Sequence, residues 1–201
     1  MAMTAIVPRE AGGPEVLEQV TRELPEPAQG QVRIRVAAAG INRHDCNQRG
    51  RGHRPEGATD ILGLEVSGTI DAVGEGVDRG RIGAQVAALV NGGGYAEYVV
   101  ADEPMLFDWT PRLSAVEAGA LPEALMTLQL NLSELCALDA GEWLLIHGGT
   151  SGIGMAGIPL NTTGSTQEGV RICVSLIKEN QFDELNTRLS TLNHHLQPNS
   201  V

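Results

Sequence analysis

The sequence predicts an α/β chain with a large β part, in which a barrel-like β domain precedes a short unit of strand, glycine loop and helix. Three observations lead to this fold class. Glycine accounts for 25 of the 201 residues, which is more than a helical bundle uses. Short, alternating apolar segments fill the first part of the chain. An alanine- and leucine-rich segment with helical spacing begins near residue 114.

Four segments in the first hundred residues have the pattern of β-strands. Residues 31–41 begin with strict alternation, in which Val32, Ile34 and Val36 share one face. Residues 62–74 form a second strand region, in which glycines indicate bulges or ends. The segments 82–89 and 95–102 flank the loop sequence NGGG. Several short strands separated by glycine turns favour a barrel-like domain.

The pattern changes to helical and then to a glycine loop. Ser114 and Glu117 have the spacing of a capping box, and Pro122 is expected to divide residues 114–138 into two helices. A short buried strand, WLLIH, then leads into the sequence GGTSGIG at 148–154. Dinucleotide sites begin in this way, because glycines let the backbone approach a pyrophosphate. An ordinary glycine turn is the alternative.

Composition excludes several classes of function. The net charge of −11 argues against a general binder of nucleic acid or anionic membranes, which would repel the chain. No apolar run is long enough to cross a bilayer, and the first residues have no pattern of an export signal. The three cysteines are too scattered for a disulfide framework. We therefore expect a cytoplasmic protein.

One basic segment stands out from this acidic background. Residues 43–54 contain four arginines and the single acid Asp45. The segment is interpreted either as a solvated basic loop or as a cationic lip that attracts a phosphorylated cofactor.

The last 41 residues differ from the rest. Residues 161–201 contain no alanine, whereas residues 1–160 contain 21, so we expect the tail to have a different sequence origin. Residues 170–177 have the pattern of a strand, and leucines then recur at helical spacing. This helix is expected either to pack on the body of the protein or to pair with another chain.

An ordered set of segments resembles the medium-chain dehydrogenase/reductase superfamily and, within it, the zinc-free NADPH:quinone oxidoreductases. The segments are AGGPEVL (11–17), AAAGINRHD (37–45), ILGLEVSGTIDAVGEGV (61–77), IGAQVAAL (82–89), NGGGYAEYV (91–99), LPEALMT (121–127) and HGGTSGIG (147–154). The resemblance implies a GroES-like β-barrel catalytic domain over 1–120 and the start of a Rossmann dinucleotide-binding domain over 121–160. Residues 161–201 would be a divergent tail. It also implies that the chain is truncated or altered after about residue 154, which leaves an incomplete Rossmann-type βαβ segment.

The same resemblance implies a reaction without a metal. Alcohol dehydrogenases of the superfamily bind a catalytic zinc, and the matching positions here hold Asn42, Leu64 and Glu123, which form a poor ligand set. The implied chemistry is hydride transfer from NADPH to a quinone or enone. Asn42 matches a position beside the nicotinamide, and His53 stands where many relatives have a tyrosine, so the resemblance implies that both are catalytic. His53 would stack on the ligand or donate a proton, and a solvated loop histidine is the alternative. Asp45 is expected to hold the surrounding loop.

Eight positions are expected to contact the cofactor NADPH. They are Asn42, Thr127, Gly149, Ser151, Gly152, Ile153, Gly154 and Ser165. Ser165 lies in a segment that resembles the family's turn for the 2′-phosphate. We expect a homo-oligomer, because an incomplete parallel sheet would leave apolar faces uncovered. We expect its activity to be impaired, because a partial Rossmann sheet would hold the nicotinamide poorly. The alternative is a non-catalytic GroES-like module for partner binding or oligomerisation.

Overall fold

The computed structural model describes residues 1–52, 54, 57–109, 112–139, 148 and 151–157. The chain divides into two compact units, Met1–Thr127 and Leu128–Val201. The predicted boundaries at residues 120 and 160 stay predictions. The predicted strands over WLLIH and residues 170–177, and the leucine-striped helix, lie outside the described residues.

A five-stranded antiparallel sheet forms most of the first unit. Its strands are β3 (Gln31–Ala39), β4 (Glu65–Val73), β5 (Gln85–Leu89), β6 (Tyr98–Asp102) and β7 (Leu106–Asp108), in the spatial order β6-β3-β4-β5-β7. The alternation expected from the sequence is confirmed, since Val32 and Ile34 are fully buried and Val36 packs against the same core. The other face holds Arg33, whose guanidinium forms two hydrogen bonds with Asp71.

A second sheet pairs the start of the chain with the segment that follows it. Strands β1 (Ala2–Pro8) and β2 (Leu17–Glu23) are antiparallel, and the sequence pattern did not indicate either of them. The Ile6 N–H donates to the Tyr95 carbonyl oxygen at 2.8 Å, and the Glu97 N–H donates to the Thr4 carbonyl oxygen at 3.1 Å. These bonds join β1 to the segment before β6.

The basic segment after β3 is helical rather than a loop. Helix α1 spans Arg43–Arg51 and ends at Gly52, which adopts the left-handed conformation at φ 63°. The prediction of a basic loop is therefore wrong for residues 43–51. The spacing of apolar residues does not indicate this helix, because Asp45 is the only residue that the helix buries.

The helices after β7 agree with the predicted division at Pro122. Helix α2 spans Ala115–Ala118, and its capping box between Ser114 and Glu117 is confirmed. Helix α3 spans Pro122–Leu128 and continues as a π-helical segment, Gln129–Leu135. In the second unit, helix α4 spans Gly152–Gly157.

The second unit has a small apolar cluster of its own. Leu128 and Leu132 are buried, and Leu138, Ile153 and Ala156 pack against them.

None of the helices in the described part of the chain has the length and apolarity that a membrane span requires.

Candidate functional site

Asn42 lies at the junction between β3 and α1. Its backbone is extended (φ −120°, ψ 155°), as is usual for the residue that precedes a helix. The Asp45 carboxylate accepts the Asn42 backbone N–H at 2.7 Å. The Asn42 side chain faces the Asp45 N–H in the arrangement of a capping box, while that N–H lies 3.1 Å from the Asn42 backbone oxygen. The expectation that Asp45 holds this segment agrees with these contacts.

The Asn42 side chain is bound to a buried carboxylate on the neighbouring strand. Glu65, the first residue of β4, is 3% exposed, and its Oε1 accepts a hydrogen bond from Asn42 Nδ2 at 2.7 Å. Its Oε2 accepts the backbone N–H of Glu123, near the start of α3, at 3.0 Å. Gly40 lies so close that an added Cβ would collide with the Glu65 carboxylate. One carboxylate therefore joins the segment before α1 to the start of α3.

A second buried carboxylate is bound to a tyrosine. Asp45 is 4% exposed, and its Oδ2 accepts a hydrogen bond from the Tyr95 hydroxyl at 2.8 Å. Asp45 Oδ1 is buried without a hydrogen-bond partner. Burial is the larger cause that raises the pKa of the Tyr95 hydroxyl, and the hydrogen bond to Asp45 raises it further. The hydroxyl therefore stays protonated at neutral pH and acts as a donor.

A cavity of about 230 Å³ lies beside Glu123, which is one of its lining residues. Leu64 and Glu123 line it, together with His44 and Gln48 of α1 and Asn91 of the loop after β5. Most of its lining is uncharged, and the titratable side chains among the lining residues are His44 and Glu123. The cavity therefore offers an apolar wall with a few polar groups, which suits a small organic molecule.

Thr127 lies one turn after Glu123 on α3. Its hydroxyl is 3.3 Å from Glu123 Oε1. The structure therefore connects three of the positions named from the sequence, because Asn42 and Glu123 both bind Glu65 and Thr127 binds Glu123. His53 lies outside the described residues.

The three positions that match zinc ligands in relatives remain close together. Glu123 contacts Glu65, which also binds Asn42, and Leu64 lines the cavity with Glu123. In the part of the chain that the structure describes, no group of three or more histidine, cysteine, aspartate or glutamate side chains has the geometry of a metal site. The metal-free reaction stays a prediction.

The glycine loop forms a turn that leads into α4. The Ser151 N–H donates to the Gly148 carbonyl oxygen at 2.8 Å, and Ser151 Oγ accepts the Gly154 N–H at 3.1 Å. A Cβ added to Gly152 would meet no atom of the described residues within 4 Å. A pyrophosphate fits such a turn, because it needs close approach to the backbone. Ile153 turns inward and packs in the small apolar cluster.

Two predicted cofactor contacts cannot be located in the same way. Gly149 and Ser165 lie outside the described residues. The other four predicted contacts of the glycine loop, Ser151, Gly152, Ile153 and Gly154, are consecutive in the turn and the first residues of α4.

Sequence reasoning missed Glu65 and Tyr95. Glu65 had a detectable signal, because it is a single acid within the apolar segment 61–66, and charged residues are rarely buried unless they have partners. Tyr95 had none, because its role depends on a residue 50 positions away in the sequence.

Comparisons with known proteins agree with this architecture. A family model described as alcohol dehydrogenase GroES-like domain matches residues 28–111. Quinone oxidoreductase of Sus scrofa is 33% identical over 181 residues, which cover 85% of this chain and 55% of that protein. A mycocerosic acid synthase-like polyketide synthase of Mycolicibacterium smegmatis is 34% identical over 154 residues, which cover 76% of this chain and 7% of that protein.

A solved structure shows the same relationship. The crystal structure of human synaptic vesicle membrane protein VAT-1 homolog-like protein superposes with a TM-score of 0.74 at 28% identity, and it covers 93% of this chain and 60% of that one. The chain belongs to the medium-chain dehydrogenase/reductase superfamily, with a GroES-like N-terminal domain and a relationship to quinone oxidoreductases. It is of oxidoreductase lineage, and it spans about half the length of the quinone oxidoreductases it matches.

Proposed function

We propose that this protein is an NADPH-dependent oxidoreductase of the quinone reductase type. The observation that carries the proposal is the Asn42–Glu65–Glu123 cluster beside the 230 Å³ cavity. Glu123 is the member of this cluster that lines the cavity, and a mostly uncharged cavity with a polar edge suits a quinone or enone. The relationship to quinone oxidoreductases and to a polyketide synthase supports the same reaction class.

NADPH would supply a hydride, and a quinone or enone would accept it together with a proton from water. The protein's task is to bind and align the two molecules, because alignment supplies much of the rate in such a step. The Asn42 amide would orient a carbonyl group, either that of the acceptor or that of the nicotinamide carboxamide. The turn at Ser151 and Gly152 would hold the pyrophosphate. The preference for NADPH over NADH is assigned to Ser165 and to the basic residues of 43–54.

Nucleotide binding is the direct test of this proposal. Titration of NADPH into the purified full chain, followed by nucleotide fluorescence, should give saturable binding. Gly152→Val should weaken that binding at least about 10-fold, because a branched side chain would fill the space that the pyrophosphate needs. Among the described residues, no atom lies within 4 Å of a Cβ added at Gly152, so the backbone there has room for the first atom of a side chain.

A control on the same helix separates this effect from damage to α4. Met155 is 61% exposed, and Met155→Val introduces the same branched side chain away from the turn. It should bind NADPH like the wild type. Equal affinity in Gly152→Val and wild type would show that the turn holds no nucleotide. Absence of NADPH binding in the wild type would refute the proposed function and favour the partner-binding module.

Turnover is measured as NADPH oxidation with a simple ortho-quinone. The impaired activity expected from the sequence predicts a rate well below the roughly 10 per second of ordinary enzymes. A rate of that size would contradict the impairment and support the activity. We also propose a homo-oligomer, since Ile41 and Val116 are 83% and 72% exposed, and sedimentation of the full chain measures its mass.

A further inference from the structure

Glu65 is a buried carboxylate to which the sequence assigned no role. It lies between two segments that carry candidate site residues, and each of its oxygens accepts one hydrogen bond from a different segment. A buried carboxylate requires such partners, because an unpaired one would lose its hydration without compensation. Both donors belong to candidate site residues, so the role of Glu65 depends on how it orients these two donor groups.

The two hydrogen bonds require an acceptor atom at each end of the Glu65 carboxylate. The Glu123 donor is a backbone N–H, which cannot reverse its polarity, so the facing Glu65 oxygen must accept. The Asn42 donor is a side-chain amide, which can rotate to present either its nitrogen or its oxygen. A carboxylate accepts with both oxygens, so it selects the nitrogen of Asn42. Glutamine in place of Glu65 could bond both partners only if the Asn42 amide turned over and pointed its nitrogen at the Asp45 N–H.

The other side of the Asn42 amide faces the start of α1. Its oxygen lies on the side of the Asp45 N–H in the capping-box arrangement, while that N–H donates to the Asn42 backbone oxygen at 3.1 Å. Nδ2 carries two hydrogens, and Glu65 takes one of them. The amide therefore retains one N–H donor, and donors are the partners that a carbonyl oxygen needs.

We infer that Glu65 is a positioning residue: through its bond to Nδ2 it fixes the Asn42 amide so that the remaining N–H is available to a ligand carbonyl oxygen. The inference rests on the proposed function for the identity of that carbonyl, and of the two carbonyl groups named there it commits to the nicotinamide carboxamide. The polarity of the Asn42–Glu65 bond can be tested without any ligand.

The test is a double-mutant cycle on this pair, with unfolding in denaturant as the first measurement. Glu65→Gln leaves either two donors facing each other or an overturned Asn42 amide whose nitrogen faces the Asp45 N–H, and it should raise the unfolding equilibrium constant about 10-fold. Asn42→Asp places two carboxylates in contact and should also destabilise the protein. In the double variant Asn42→Asp/Glu65→Gln, the introduced glutamine amide donates to the introduced aspartate and accepts from the Glu123 N–H. Both hydrogen bonds of position 65 are then restored, and positions 42 and 65 again carry one carboxylate between them.

The double variant should therefore recover most of the stability that either single change removes. A non-additive recovery of this sign shows that the two side chains are coupled, and recovery to near wild-type stability is expected when they bond directly with the stated polarity. Glu18→Gln, on the exposed part of β2, is the matched control and should unfold like the wild type. Additive losses in the double variant would overturn the inference.

Nucleotide binding is the second measurement, and it separates positioning from a purely structural role. The double variant regains the fold but lacks the Asn42 N–H, so its affinity for NADPH should stay about 10-fold or more below wild type. Its affinity for 2′-phospho-ADP-ribose, which has no nicotinamide, should equal that of the wild type. Wild-type NADPH affinity in the stable double variant would refute the assignment of the N–H to a ligand carbonyl.

The two proposals fail in different ways. If the wild type binds no NADPH, the proposed function and the ligand carbonyl are refuted, and the unfolding cycle still decides whether Glu65 fixes the amide. If NADPH binds but the cycle is additive, the proposed function stands and the role of Glu65 is refuted.

Discussion

The hydrogen bond between Tyr95 and Asp45 makes stability depend on pH in a testable way. Tyr95→Phe removes only the hydroxyl and keeps the ring, which packs against the cluster around Met3, Ala5 and Val7. Asp45 Oδ2 then keeps the Asn42 N–H as its remaining donor, and Oδ1 is already without a partner. The substitution therefore leaves a buried carboxylate with a single hydrogen bond.

The expected loss in the free energy of unfolding follows from the negative charge of the acceptor, the Asp45 carboxylate. A hydrogen bond to a charged group contributes about 1.5–3 kcal/mol. We expect Tyr95→Phe to lower the free energy of unfolding at pH 7 by about 2 kcal/mol, because Asp45 retains one donor. For a chain of this length, such a loss lowers the melting temperature by roughly 4–8 °C.

The raised pKa of Tyr95 adds a second prediction, at alkaline pH. In the unfolded chain a tyrosine loses its proton near about pH 10, whereas in the folded protein Tyr95 keeps it to higher pH. Above that pH the folded state binds more protons than the unfolded state, so the free energy of unfolding falls as pH rises, by at most about 1.4 kcal/mol per pH unit. Tyr95→Phe lacks this contribution, so its deficit relative to wild type should shrink above about pH 10.

Urea unfolding of both proteins from neutral pH to about one unit above the ordinary tyrosine pKa measures the two effects together. Tyr98→Phe is the matched control, because it removes the hydroxyl of the chain's other tyrosine and keeps the ring that faces Arg33. It should unfold like the wild type at neutral pH. A constant difference between wild type and Tyr95→Phe over the whole range would refute the raised pKa. No difference at neutral pH would refute the stabilising hydrogen bond.

Further predictions concern the sheet and its connection to α2, and each is checked by unfolding in denaturant. Gly68→Ala should destabilise the protein by several kcal/mol, because its Cβ would collide with the Arg35 carbonyl oxygen of the neighbouring strand. Gly50→Ala, the control, meets open space on α1 and should stabilise by about 0.5–1 kcal/mol, so a loss there would contradict the reasoning. Ser67→Ala should cost about 1–3 kcal/mol, because the buried Ser67 hydroxyl donates to the Ala115 carbonyl oxygen at 2.6 Å, and an unchanged stability would mean that water replaces it.

The sequence by itself determined the class of the fold and many of its parts. Alternation of apolar residues predicted β3, since a strand with one buried face repeats every two residues, and Val32 and Ile34 are buried as expected. Local chemistry likewise predicted the capping box at Ser114 and the break at Pro122. These features depend on neighbours within a few positions, so the sequence carries them directly.

Tertiary structure alone decided what surrounds Asn42. Glu65 is 23 positions from Asn42 and 58 from Glu123, and Tyr95 is 50 from Asp45, so no local pattern records these hydrogen bonds. Helix α1 was missed for a related reason, because it buries little and owes its start to the Asp45 carboxylate rather than to an apolar stripe. A hydrogen bond between distant residues depends on the path of the backbone between them, and packing of the sheet sets that path.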